Sequence, residues 1–188
     1  MNFAETLIKA KENGDVVSVF SNGSDSHKCG VGTVEDVDGE YFVIAGISTF
    51  GLYGGYQIKR VEDIFRIDVE CEYEQEYKAL YKARNQKHEK HFHKVSDDML
   101  EDFFEWCAEN KFVIAVGIRE YADTVYGIVS EVDRSWAVIT LDEITEKGVK
   151  TGKIHFGIDS VYQVCADGSD EQKIDALYKY NNKSDMED

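Results

Sequence analysis

Proline is absent from the 188 residues, and aromatic side chains make up 12% of them. A chain of that composition is expected to fold rather than stay disordered, its polar acidic end at 181–188 excepted. No run of eighteen apolar residues is present to span a bilayer. The opening Met-Asn-Phe-Ala-Glu-Thr lacks a basic stretch followed by an apolar one, so a cytoplasmic address is expected. Cys29, Cys71, Cys107 and Cys165 show no C-x-x-C spacing and do not recur at matched positions, which argues for reduced thiols rather than a disulfide or zinc framework.

Basic charge is also scarce. There are 21 Lys and Arg against 37 Asp and Glu, a formal net charge of −16. Residues 1–82 carry −7 and residues 96–188 carry −12, whereas 83–95 carry +3. Two strongly acidic stretches repel a phosphate backbone, so charge favours a basic partner over nucleic acid.

What the chain does have is self-similarity. Gly32-Thr33-Val34-Glu35-Asp36-Val37-Asp38-Gly39-Glu40-Tyr41-Phe42-Val43-Ile44 matches Gly127–Ile139 at a spacing of 95, with Tyr41 set against Trp136. Ile64-Phe65-Arg66-Ile67 and Ala79-Leu80-Tyr81-Lys82 match Val161–Val164 and Ala176–Lys179 at a spacing of 97. Copies of that length each bury a core of their own, so two small domains are expected, the product of a duplication. Their boundaries fall at 1–82 and 96–180, with a basic, His-rich helical linker over 83–95 and an acidic tail over 181–188.

Each copy reads as helix, about five short strands, helix. Phe3, Leu7 and Ile8 line one face of a first helix ending at Asn13-Gly14; Met99, Leu100, Phe103, Phe104 and Cys107 line its counterpart, capped by Ser96 or Asp97. Asn22-Gly23 and Tyr121-Ala122-Asp123 mark turns, and Asp38-Gly39 joins two β-rich runs as a hairpin. Tyr73, Tyr77, Leu80 and Tyr81 fit a closing helix, as do Ile174, Leu177 and Tyr178. The expected fold class is mainly β with α, an α+β chain of two tandem five-stranded barrels of the SH3/Sm-like kind, each with an N-terminal and a C-terminal helix, because closure removes exposed strand edges.

This order, with its hydrophobic-x-Gly-x-Val-x-x-Val-Asp hairpin, resembles the Sm-like and wider SH3-like small-barrel group. The resemblance implies uridine-rich RNA binding and ring assembly. Phe42 and Ala137 stand where that group's first motif places Asn, and Lys59-Arg60 and Phe156-Gly157 where its second places Arg-Gly. More narrowly, Ile47–Tyr56 followed by Asp63-Ile64-Phe65-Arg66-Ile67 resembles a group of small uncharacterised bacterial proteins with a glycine-tyrosine loop before an Asp-Ile-x-x-Ile strand.

Candidate chemistry is sparse. Phe50, Tyr53 and Tyr56 surround the glycines of that loop and offer large contact area at low rotamer cost, suited to a peptide or flat protein partner. Arg84, Lys87, Lys90 and Lys94 make 83–95 either a nucleic-acid patch or an internal bridge to an acidic face. His88 and His91 lie three apart, not the four of a zinc-protease helix, and no Cys accompanies them in sequence, so no metal is expected. Gly51–Gly55 and Gly148–Gly152 lack the spacing and the Lys-Ser/Thr of a nucleotide loop. No nucleophile–base set is visible. The expectation is a non-enzymatic, cofactor-free protein-binding or adaptor module, in one version an acidic inhibitor or immunity protein capping a basic enzyme. The competing class is a divergent Sm-like RNA binder. No membrane is involved, and the chain is a monomer or a weak homo-oligomer. Trp106 and Trp136 are expected in core or interdomain contacts.

Overall fold

A computed structural model describes residues 2–21, 29–121 and 123–184. Asn22-Gly23 and the middle of Tyr121-Ala122-Asp123 lie outside the described residues. The chain divides into two compact units, Met1–Val95 and Ser96–Asp188.

In the first unit, helix α1 (Phe3–Asn13) starts where Asn2 accepts from the Glu5 backbone N–H and Glu5 answers on the Asn2 N–H, and ends at Gly14 in the left-handed conformation. Strands β1 (Val16–Ser21), β2 (Gly30–Val37), β3 (Tyr41–Ile47), β4 (Tyr53–Arg60) and β5 (Ile64–Val69) follow, with a single 3₁₀ turn at Val61–Asp63, and helix α2 (Glu72–Ala83) closes the unit. The wholly apolar run of β3 is buried along its entire length, as a central strand covered on both faces requires. Leu7 and Ala10 of α1 pack on Val17, Val19, Val34, Phe42, Ile44 and Ile64. Tyr77 of α2 packs on a separate cluster of Val16, Val31 and Ile47, with Tyr81 beside it.

The second unit repeats the order: α3 (Met99–Asn110), β6 (Val113–Ile118), β7 (Val125–Asp133), β8 (Val138–Ile144), β9 (Lys150–Gly157), a 3₁₀ turn at Ile158–Ser160, β10 (Val161–Ala166) and α4 (Ser169–Ser184). The N-cap of α3 is Asp98, while Ser96 instead bonds to the Asp102 carboxylate. Val113, Ile144 and Ile174 form the counterpart of the α2 cluster, with Tyr126, Ile128 and Tyr178 against it.

Closed barrels are not what forms. The first unit's antiparallel strands run β5-β1-β2-β3-β4 and the second's β10-β6-β7-β8-β9, and no ladder joins β4 to β5 or β9 to β10 among the described residues. The reason lies in the connections. A three-residue 3₁₀ turn, unlike a hairpin, does not fold one strand back alongside the last; it carries the chain across so that β5 pairs with β1 and β10 with β6. The sheet is open.

Register also corrects the alignment of the two copies. Val37 pairs with Phe42, and Val132 with Ile139. The β7–β8 turn is therefore two residues longer, and β3 corresponds to β8 at a spacing of 97, not 95. Trp136 consequently falls in the longer turn at 80% exposure instead of in a core. Both hairpins keep a bulge at the same place, Val34/Asp36 and Val129/Glu131.

The expected linker helix is absent too. Arg84 caps α2, Asn85 takes a positive φ of 51°, and the Gln86 N–H closes back on the Tyr81 carbonyl at 3.1 Å, which ends the helix. Residues 86–95 continue without helix as part of the first unit. At the other end α4 runs through residues 181–184 of the expected tail; 185–188 lie outside the described residues.

Candidate binding face of the first unit

The β3–β4 connection is a tightly built turn. The Ser48 N–H donates to the Leu52 carbonyl at 2.9 Å, the Gly51 N–H to the Ser48 carbonyl at 2.9 Å, and the Leu52 N–H to Ser48 Oγ at 3.2 Å. Gly51, at φ 65°, lies so close to α2 that a Cβ there would sit 2.4 Å from Leu80 Cβ. The turn thus presents Phe50 at 69% exposure with Leu52 at 40% beside it.

The other two aromatics of the loop are consumed internally. Tyr56 is buried, and its hydroxyl donates to the Lys90 carbonyl. Tyr53 is half-buried; its N–H donates to Gln86 Oε1 at 3.1 Å, and its ring lies 4.5 Å from that of His88. Of the three sequence candidates only Phe50 is left facing solvent.

Their occupant is the basic segment itself. His88 sits among Tyr53, Tyr56 and Tyr81, with ring separations of 4.5, 5.1 and 5.7 Å. Its Nε2 is 3.2 Å from the Gly55 carbonyl, which can only accept, so Nε2 carries hydrogen. In the neutral ring Nδ1 then accepts from the Tyr81 hydroxyl at 2.8 Å. Burial, with Glu35 adding to it, pushes the Tyr81 phenol up to about 12, which keeps it a donor. Phe92, the lone apolar side chain between His91 and His93, is fully buried.

Beyond Phe92 the segment meets acid. Glu35 Oε2 lies 3.1 Å from His91 Nδ1. The Lys94 N–H donates to Asp36 at 2.9 Å and Lys94 Nζ to Asp38 at 2.8 Å. The β2 bulge sets two residues against one of β3, so the adjacent Glu35 and Asp36 both reach the segment. Asp36 also holds Lys11 of α1 at 2.7 Å. Burial opposes ionisation of Asp36, but the bonds from Lys11, Lys94 and Val37 outweigh it and hold the carboxyl below its ordinary range. Asp38 is held low in the same way, burial being outweighed by Lys94 and the N–H groups of Tyr41 and Glu40.

Of the basic candidates, Lys94 is therefore turned inward. Arg84 is exposed at the end of α2. Lys87 pairs with Glu89 at 2.9 Å where both side chains are more than 70% exposed, a contact of little energetic weight. Lys90 contributes its backbone carbonyl. Arg60, of the Lys59-Arg60 pair, lies against Glu40, Glu62 and the Tyr41 ring. His88 and His91 meet different partners, and among the described residues no group of three His, Cys, Asp or Glu is placed to hold a metal ion.

The second unit keeps this frame and changes its chemistry. The Thr145 N–H donates to the Val149 carbonyl, the Gly148 N–H to the Thr145 carbonyl, and Gly148, at φ 72°, packs on Leu177 and Tyr178. Lys147, Lys150 and Lys153 stand where the first unit has Phe50, Tyr53 and Tyr56, and Ser130 replaces Glu35. The longer β7–β8 turn instead gives Arg134, which bonds Asp102 at 2.7 Å, Glu105 at 2.7 and 2.8 Å, and Glu101 at 3.2 Å.

Glu35, Asp36, Asp38, Tyr81, His88 and Phe92 were not singled out as a site by sequence reasoning. One available signal was Phe92, an isolated apolar residue within a polar, basic stretch, as an anchor would be. Comparison of the chain with family models, curated proteins and solved structures finds no match. Among the described residues no helix is long and apolar enough to cross a membrane.

Proposed function

We propose that this is a cytoplasmic, non-enzymatic protein-binding module whose partners are basic, extended polypeptide segments. One observation carries the reading: the first unit already holds such a segment, its own residues 86–95, in a face made of tyrosines and carboxylates. The segment meets this face as a partner would, with the His88 ring among Tyr53, Tyr56 and Tyr81, a backbone carbonyl taken by Tyr56, and Lys94 and His91 opposite Asp38 and Glu35. Aromatic contact beside satisfied charge pairs is the common pattern of a specific interface. The net charge of −16 extends the same preference over longer range by steering cationic partners.

In this reading residues 86–95 act as an internal occupant that a stronger partner displaces, and Phe50 with Leu52 adds apolar contact at the rim. An inhibitor of a basic enzyme is one form of such a module. The reading is tested by affinity capture from lysate at low salt, with and without ribonuclease, followed by competition with a synthetic peptide of residues 86–95. A basic protein that survives ribonuclease, is released by salt and is displaced by the peptide supports it. Capture of RNA alone returns the Sm-like class, and a partner indifferent to both salt and peptide removes the proposed face.

A further inference from the structure

A different surface carries a second kind of recognition. Strand β5 is an outer strand: it pairs with β1 on one side, and no second strand lies along its other edge among the described residues. Unpaired strand edges template the addition of another strand unless something guards them. The outer strand of the second unit, β9, is guarded. It carries Lys150 and Lys153, and Gly152, at φ 159°, falls between them; a second copy of β9 would bring like charges together.

β5 reads the opposite way. Arg66 and Asp68 stand two residues apart on the same face, paired within the strand by two hydrogen bonds of 2.8 and 2.6 Å, with Arg66 61% exposed. In an antiparallel pair of identical strands centred on Ile67, Arg66 of one copy faces Asp68 of the other, and Asp68 faces Arg66. Directly opposed residues are about 4.5–5.5 Å apart at Cα, nearer than the roughly 6.6 Å between positions i and i+2 of one strand. The charge pair therefore transfers to the second copy without loss. Phe65, left outside the β1 ladder by the bulge at Phe20/Ser21 and 45% exposed, faces Val69 of the second copy at each end.

We propose that β5 is a homodimerisation edge, on which two copies of this chain pair antiparallel about Ile67 with reciprocal Arg66–Asp68 contacts. Such a two-fold contact is self-complementary and closes, giving a dimer and no fibre. The bulge keeps the ladder short, so the dimer is a weak one.

Sedimentation equilibrium of the full chain and of three variants tests this. Wild type self-associates reversibly. Arg66→Asp sets Asp against Asp twice and Asp68→Arg sets Arg against Arg twice, so each weakens self-association about tenfold. Mixed together, those two variants restore opposite charge at both contacts and form a heterodimer of wild-type strength. The double variant, with the pair exchanged, again forms a homodimer, which separates the interface from any loss of folding. A wild type that stays monomeric up to about 1 mM overturns the proposal. So do single variants that associate as wild type does, and a mixture that fails to restore the dimer.

Discussion

Phe92→Ala removes the one fully buried side chain of residues 86–95. Truncating a buried Phe costs about 3–5 kcal/mol. Single polar ties are smaller: the Tyr56 hydroxyl bond contributes about 1 kcal/mol net, and the Lys94 N–H on the Asp36 carboxylate about 1.5–3. The exposed Lys87–Glu89 pair adds next to nothing. With the anchor gone the segment should open while the sheet beneath it stays folded, because α1, β1 and β3 hold a separate cluster. Native-state hydrogen exchange reads this directly. At about 3 kcal/mol, protection of the Lys94 amide falls more than 100-fold, while amides of α1 and β3 keep theirs. Unchanged Lys94 protection, or an equal loss throughout the first unit, would refute the reasoning, since the segment would then be either unanchored by Phe92 or inseparable from the core.

Three other perturbations have defined outcomes. Asp36 and Asp38 are held below their ordinary range, so the stability they contribute is complete above the unfolded carboxyl value near 4 and is lost as pH falls through their depressed values; the Lys94 amide should lose protection below about pH 4 in acid titration followed by NMR. Arg134→Ala takes the guanidinium away from Asp102, a carboxylate whose side chain is 1% exposed and which also accepts from Ser96, and calorimetry should show a loss of about 3 kcal/mol. The Glu105 carboxyl, held low chiefly by its bonds to Arg134, should rise towards its ordinary value in the same variant. Gly51→Ala should cost clearly more than Gly14→Ala. Both sit at positive φ, but nothing lies within 4 Å of a Cβ at Gly14, whereas at Gly51 it meets Leu80; paired thermal melts give the comparison, with about 1 kcal/mol expected for Gly14.

Local chemistry was legible in the sequence and closure was not. The four observed helices are announced by their apolar spacing, and the strands by β-branched runs, although the cap of α3 is Asp98 and not Ser96 or Asp97. Whether β5 turns back on β4 or crosses to β1 depends on three residues, Val61–Asp63, whose 3₁₀ geometry carries no strong signature of its own. Trp136 was misplaced because the matched hairpin was read without a gap, although Asp133-Arg134-Ser135 in place of Asp38-Gly39 already marks a different turn. The aromatic loop was located, but not the fate of its rings: what buries Tyr53 and Tyr56 and leaves Phe50 exposed lies more than thirty residues downstream. Reading 83–95 as a helix hid it, since a single left-handed residue, Asn85, turns a helical continuation into an extended segment that reaches Asp36 and Asp38.

The binding face is tested most directly by titrating a synthetic peptide of residues 86–95 into full-length wild type and into Phe92→Ala by isothermal calorimetry, at low and at high salt. The account predicts binding to Phe92→Ala that weakens with salt and is lost when Asp36 and Asp38 are also replaced by Asn, and far weaker binding to wild type, whose own segment fills the face. Equal binding to both proteins, or none to either, would contradict it.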